Sequence, residues 1–192
     1  MSPTKPLRDL VVVVKSGLSS HYAQEGGVTV PFIKLSDLQK GRINAETVDR
    51  ISVKETDLLE KSRMAPGDII FTVKGTNFRG VIADESIRDF MISANMVALT
   101  LSDKILPEIV VAYLNSPAGQ REIQSRASGG VTRGLSIKSL LEIPIPIPPI
   151  EQQKTLSLYL SLAREYEENL IKESELVNKI TDAVIAQIMR RR

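Results

Sequence analysis

Three short segments of the sequence combine glycines with side chains that can bind phosphates and base edges. They are "KSGLSSHYAQEGG" (15–27), "VKGTNFRG" (73–80) and "SRASGGVTRG" (125–134). Lysine and arginine bind phosphate, and Arg, Asn, Ser and Thr side chains also hydrogen-bond the edges of bases. The candidate DNA contacts are Lys15, Ser20, His21, Tyr22, Lys74, Thr76, Asn77, Arg79, Arg126, Thr132 and Arg133. An ordinary solvated turn explains any one segment about equally well, and it is the presence of all three that favours binding.

The residues that enzymes use for covalent and metal chemistry are scarce. Cysteine is absent and His21 is the one histidine, which excludes disulfides, a cysteine nucleophile, and thiolate or two-histidine metal sites. Neither GxxxxGK[ST] nor GxGxxG occurs, so a phosphate loop or a dinucleotide cofactor has no support. The segment "PGDIIFTVKG" is similar to a nuclease pattern, but Thr72 stands where a second carboxylate is needed. We therefore predict no catalytic residues, no metal and no cofactor, and disfavour a free-standing nuclease.

The charge is informative in its distribution more than in its sum. The 192 residues carry a formal net charge of +2, which is weak support for a polyanionic partner. Residues 121–138, however, contain four basic residues and only one acidic residue, Glu122. No apolar run is long enough to span a membrane, and the first residues do not form a signal peptide. We expect a cytoplasmic protein without a membrane partner.

Residues 1–149 predict a globular domain of the α+β class, with a mixed β-sheet and short helices. Strands are expected in "DLVVVVKSG", "VTVPFIKLSDL", "GDIIFTVKG", "GVIADES" and "SANMVALTL". Between residues 107 and 126, apolar residues at helical spacing precede a Ser-Pro break and a second polar turn or two. "SIKSLLEI" predicts one more short helix, with Ser136 as its cap.

Residues 150–192 predict a long C-terminal helix that forms a coiled coil. They contain neither proline nor glycine, and about 40 residues at about 1.5 Å each make a helix about 60 Å long. Apolar residues follow a heptad seam, of which Glu173 and Gln187 are polar members. The candidate dimerisation residues are Tyr159, Ala163, Tyr166, Leu170, Val177, Ile180 and Val184. Since one small domain cannot cover such a rod, we expect another helix against the seam; the alternative is a solvated helix lying on its own domain.

The segment "IPIPIPP" (143–149) joins the two parts. Proline fixes φ and removes an amide donor, so this connector should be extended and cannot be a central strand. Ile143, Ile145 and Ile147 then project to one side, where they can pin the connector onto the core. Proline is favourable at the first helical position, and Glu151 follows where the helix dipole stabilises an anion. We expect the connector to fix the direction of the helix.

In this order, the segments resemble the specificity subunit of type I restriction-modification systems. The resemblance rests on "VPFIKLSDLQKGRI", "MAPGDIIFTVKGTNFRGVIADE", "ANMVALTL" and "ASGGVTRGLSIKSLLEIPIPIPPIEQQ", followed by a long helix. It implies a target recognition domain and a spacer helix. It also implies a protein without catalysis of its own, which directs a DNA methyltransferase subunit and, in complete systems, a nuclease-translocase subunit to double-stranded DNA.

The chain departs from the family pattern, in which two recognition domains are separated by two antiparallel helices. Its length holds one domain and one helix, as a natural half-subunit or a fragment would. A half-subunit that homodimerises through its helix would read an inverted repeat with a non-specific gap. The alternative from the residues alone is a coiled-coil adaptor that binds only protein partners, a reading that the net charge of +2 favours.

Overall fold

The structure, a computed structural model, describes residues 2–19, 23–39, 42–54, 59, 62–130 and 133–190. Its strands are β1 (Thr4–Pro6), β2 (Val11–Ser16), β3 (Ala23–Ile33), β4 (Leu38–Gln39), β5 (Arg42–Ile43), β6 (Arg50–Val53), β7 (Ile69–Thr72), β8 (Lys74–Gly75), β9 (Gly80–Ile82), β10 (Met91–Ile92), β11 (Met96–Leu101), β12 (Arg133–Gly134) and β13 (Pro144–Pro146). The α-helices are α1 (Pro107–Asn115), α2 (Pro117–Arg126), α3 (Ile137–Leu141) and α4 (Ile150–Met189). The predicted α+β class is confirmed. Among the described residues, every helix is too short or too polar to cross a membrane.

A four-stranded antiparallel sheet in the order β2-β11-β7-β9 separates two cores, and its strand β7 is buried on both faces. All four residues of β7 are buried: the apolar run Ile69–Phe71 is typical of a central strand, and the polar Thr72 follows it. On β7, Ile69 and Phe71 pack in the core beneath α1, α2 and α3, while Ile70 packs in a second core on the opposite face. Truncating a fully buried side chain such as Phe71 to alanine should cost about 3–5 kcal/mol.

Beside it lies a three-stranded sheet in the order β10-β3-β6. β3 is parallel to β10 and antiparallel to β6. A third cluster, including Val30, Phe32, Val53 and Met91, packs beneath these strands. The expected strand "VTVPFIKLSDL" therefore ends at Ile33, and its last residues form a short 3-10 turn instead.

The "VVVV" strand is an edge. In the part of the chain that the structure describes, β2 pairs with β11 alone. Val12, Val13 and Val14 are 61%, 45% and 37% exposed. The residue types correctly indicate a strand, but strand position, which local sequence does not encode, decides burial.

The isoleucine-proline connector follows the expected form. Pro144–Pro146 is extended and pairs antiparallel with Thr4–Pro6 in a separate two-stranded ladder. Ile143 and Ile145 are fully buried in the core beneath the helices, and Ile147 packs against the same core. The partner strand at the N-terminus also contains a proline, Pro6, and its sequence shows no recognisable strand pattern.

The chain divides into two compact units, Met1–Gln153 and Lys154–Arg192. Helix α4 begins at Ile150, so Pro149 precedes the first helical residue and its carbonyl accepts from the amide of Gln153 at 3.0 Å. The Gln153 side chain is buried; its Oε1 accepts from the Leu106 amide at 2.9 Å and its Nε2 donates to the Pro148 carbonyl at 2.9 Å. The first helical turn is therefore hydrogen-bonded into the globular unit.

Candidate nucleic-acid interface

The loop between β7 and β9 carries four of the predicted contacts. Thr72 closes its base: the Thr72 hydroxyl donates to the Asn77 carbonyl at 2.9 Å and accepts from the Arg79 amide at 2.7 Å. The Thr72 amide also donates to the Arg79 carbonyl at 3.0 Å. The side chains of Lys74, Thr76, Asn77 and Arg79 are exposed. The backbone of the loop is fixed while its polar side chains face solvent.

Two of the predicted basic segments meet in a short β-ladder. β8 pairs antiparallel with β12, so that Lys74 lies opposite Gly134 and Gly75 lies opposite Arg133. The Leu135 amide extends this ladder with a 2.8 Å bond to the carbonyl that precedes Lys74. Segments that are about 60 residues apart in sequence thus present Lys74 and Arg133 on adjacent strands.

Gly75 allows close approach at this ladder. Its φ is +135°, a conformation that other residues rarely adopt, and an added Cβ would lie 3.1 Å from the side chain of Leu35.

Lys34, which precedes Leu35, forms an ion pair with Asp49, with 2.6 Å between Nζ and Oδ2. This hydrogen bond raises the pKa of Lys34 and lowers the pKa of Asp49, so both stay charged near neutral pH.

Two backbone hydrogen bonds join Ser128 to Gly134 of β12. The amide of Ser128 donates to the Gly134 carbonyl at 3.0 Å, and the Gly134 amide donates back at 2.8 Å. Arg133 is exposed and its Nη1 donates to Gln124 Oε1 at 2.6 Å. Its guanidinium retains further donors for a ligand.

Arg126 is already partnered. Its Nη1 donates to the carboxylate of Glu122, one helical turn earlier on α2, and to the Glu122 carbonyl at 2.9 Å.

The pKa of the Tyr113 hydroxyl on α1 is raised, first by burial and then by the charge of Glu122. Tyr113 therefore stays neutral at physiological pH.

Lys15 points into the globular unit. Its Nζ lies 2.5 Å from Asp68 Oδ2 and donates to the Arg63 carbonyl at 2.9 Å. Asp68 is 1% exposed and also accepts from the Thr100 hydroxyl at 2.6 Å and the Ala65 amide at 2.8 Å. Both carboxylate oxygens of the aspartate in "PGD" are used internally. Within the described ranges, no group of three or more Asp, Glu or His side chains is arranged to hold a metal ion.

Two helical amides clamp the outgoing end of the 73–80 loop, and the sequence did not predict them. Asn115 holds both backbone groups of Gly80: Oδ1 accepts from the amide at 2.9 Å and Nδ2 donates to the carbonyl at 2.8 Å. Gln120 Nε2 donates to the Phe78 carbonyl at 3.0 Å and to the Leu114 carbonyl at 2.7 Å. The Ser-Pro break places these amides at the end of α1 and the start of α2.

A β-turn between β10 and β11 anchors the segment that follows β2. The Leu18 amide donates to the Ile92 carbonyl at 2.8 Å, and the Ala94 amide donates to the Leu18 carbonyl at 2.9 Å. A Cβ on Gly17 would lie 1.9 Å from the Ser93 carbonyl oxygen, so glycine is required for this approach. The first predicted segment therefore begins against this turn.

The same turn anchors the second predicted segment. The carbonyl of Asn95 accepts from the amides of Val73 and Lys74 at 2.8 and 3.2 Å. Through the turn and the β8–β12 ladder, parts of all three predicted segments lie together at one end of the four-stranded sheet. Ser20, His21, Tyr22 and Thr132 are outside the described residues.

The chain belongs to the family described as the type I restriction modification DNA specificity domain, whose model matches residues 4–176. It is 19% identical to the type I restriction enzyme EcoKI specificity subunit of Escherichia coli strain K12, over 94% of this chain and 41% of that protein. It is 25% identical to the EcoBI specificity subunit of Escherichia coli, over 84% of this chain and 35% of that protein. The chain thus spans about two-fifths of the length of these relatives.

The fold is shared with a solved specificity subunit. The S subunit of a type I restriction-modification system from M. genitalium superimposes with a TM-score of 0.60 at 19% identity, covering 90% of this chain and 41% of that one. Both the family assignment and the α+β architecture with a long C-terminal helix therefore agree with the expectations from sequence.

Proposed function

We propose that this chain reads DNA sequence for a type I restriction-modification complex, with the globular unit bound to double-stranded DNA. The observation that supports this most strongly is the β8–β12 ladder, which joins two basic segments beside the fixed 73–80 loop. Family membership supports it independently. The protein carries out no chemistry in this account; it selects the site on which other subunits act.

The exposed residues receive the direct roles. Lys74, Arg79 and Arg133 contact phosphates or guanine edges, and Thr76 and Asn77 contact base edges. Ser20, His21, Tyr22 and Thr132 remain candidate contacts on the strength of the sequence. Lys15 and Arg126 already have carboxylate partners, so we assign them to supporting the interface.

The partners follow from the family. The relatives are specificity subunits of restriction enzymes. We infer that a methyltransferase subunit, and in complete systems a nuclease-translocase subunit, binds this chain in the cytoplasm. DNA methylation and cleavage then belong to those subunits.

The helix supports a homodimer. Tyr159, Tyr166 and Val177 of the heptad seam are 66%, 66% and 60% exposed, and Leu170, Ile180 and Val184 are also exposed. Ala163 is half-buried within the helix surface. A second copy paired along these residues would cover them and present two recognition domains to an inverted repeat.

Salt-dependent DNA binding tests the proposal. We expect the full chain to bind duplex DNA with an affinity that falls steeply as salt rises, and Lys74→Ala to make the slope of log affinity against log salt shallower by about 1. Lys104→Ala is the matched control. Lys104 is an exposed lysine that follows the Leu101 end of β11, whereas the predicted segments lie at the Met96 end. Fluorescence anisotropy from low to moderate salt measures both. Salt-independent binding, or equal slopes for the wild type and Lys74→Ala, would argue for a protein-binding adaptor.

A further inference from the structure

The β-turn Ser93–Met96 presents a polar side chain at the junction of the predicted binding segments. The Met96 amide closes the turn on the Ser93 carbonyl at 2.9 Å, and both central residues, Ala94 and Asn95, are exposed. On one side the turn binds the backbone at Leu18, and on the other it binds the loop that begins at Val73. Asn95 therefore lies where the first two segments meet.

The side chain of Asn95 has no structural task among the described residues. Asparagine often occupies turns because it tolerates positive φ, but Asp89 is the only non-glycine residue with positive φ in the described part of the chain. Asn95 stabilises the neighbouring loop through its main-chain carbonyl, which any residue would supply. Replacing the side chain should leave that scaffold in place.

The chemistry of an exposed amide at this position is that of base recognition. A carboxamide presents one acceptor and a donor pair, which match N6 and N7 of adenine in the major groove. Resting on the proposed DNA-reading function, we propose that Asn95 is a further specificity-determining residue. Its Nδ2 donates to N7 and its Oδ1 accepts from N6 of one adenine in the recognised site.

Selection from a randomised DNA duplex library, followed by sequencing of the bound fraction, tests this assignment. The full chain is compared with Asn95→Ala and Asn95→Asp, and with Asn178→Ala, which removes an exposed amide from helix α4. Asn95→Ala should select the wild-type motif except at one A·T pair, where preference falls on the order of 10-fold. Asn95→Asp should lose the same preference because it cannot donate to N7 at neutral pH, and Asn178→Ala should keep the full motif.

Two further measurements separate base reading from a structural role. The salt slope and the melting temperature of Asn95→Ala should equal those of the wild type, since a neutral exposed amide is removed. An unchanged motif for Asn95→Ala would overturn the assignment, and so would a uniform loss at every position together with a lower melting temperature. Failure of the wild type to enrich any sequence would instead overturn the proposed function itself.

Discussion

The loop at residues 73–80 and helix α4 put functional side chains on the surface in opposite ways. The loop has little regular structure, so its backbone is held by side chains outside it, including the buried Thr72 and the half-buried Asn115. The helix satisfies its own backbone hydrogen bonds, and its exposed apolar side chains need a surface to cover them. A polar recognition surface depends on residues beneath it, whereas an apolar association surface depends on a partner.

The largest expected effect comes from placing charges in the heptad seam. Val177→Glu together with Ile180→Glu should raise the dimer dissociation constant at least about 100-fold, because two carboxylates from each copy would be buried against apolar side chains. Light scattering across a concentration series measures it. Lys179→Glu is the control, since Lys179 lies about 200° further around the helix than Val177. A wild-type monomer at high concentration would remove the homodimer proposal.

A smaller effect is expected beneath the recognition loop. Asn115→Ala should lower the free energy of unfolding by about 1–3 kcal/mol, because the backbone groups of buried Gly80 lose their partners. It should also weaken DNA binding without contacting DNA. Urea denaturation and anisotropy measure the two effects. Asn115→Asp keeps the acceptor for the Gly80 amide but sets a carboxylate oxygen against the Gly80 carbonyl, so it should also be destabilising. Full DNA affinity in a destabilised Asn115→Ala would contradict the supporting role.

The smallest effect is expected at Arg126. Because its guanidinium is paired with Glu122 one turn away, Arg126→Gln should change the unfolding free energy by only about 0.3–0.5 kcal/mol. It should also change DNA affinity less than Arg133→Ala does. Parallel anisotropy titrations compare them, and a larger loss for Arg126→Gln would mean that the salt bridge opens to bind DNA.

Local patterns predicted the elements better than the contacts between them. Proline and isoleucine alternation predicted the extended connector and its buried face, and Ser136 caps α3 as expected, accepting from the Ser139 amide at 3.0 Å. The β8–β12 ladder left no sequence pattern, since each strand has two residues and the pairing is long-range. The sequence around Asn115 does not distinguish it from an ordinary solvent-exposed asparagine, because the loop that its side chain binds is 35 residues away.

The start of helix α4 shows the same limit. Glu151 lies in the first turn, as the dipole argument predicts. The buried member of the Glu-Gln-Gln run is nevertheless Gln153, whose amide bonds both the connector and the residue before α1. Which of several adjacent polar residues points inward is set by helix phase relative to the core, which the sequence alone leaves open.

The most direct measurement is selection by the wild-type chain from a randomised duplex library at physiological salt. If two copies read DNA through the 73–80 and 125–134 segments, the bound fraction should be enriched in an inverted repeat interrupted by a gap of constant length. If no sequence is enriched, the proposal that this chain recognises DNA sequence is contradicted. An uninterrupted, asymmetric motif would instead contradict the two-fold arrangement of the recognition domains.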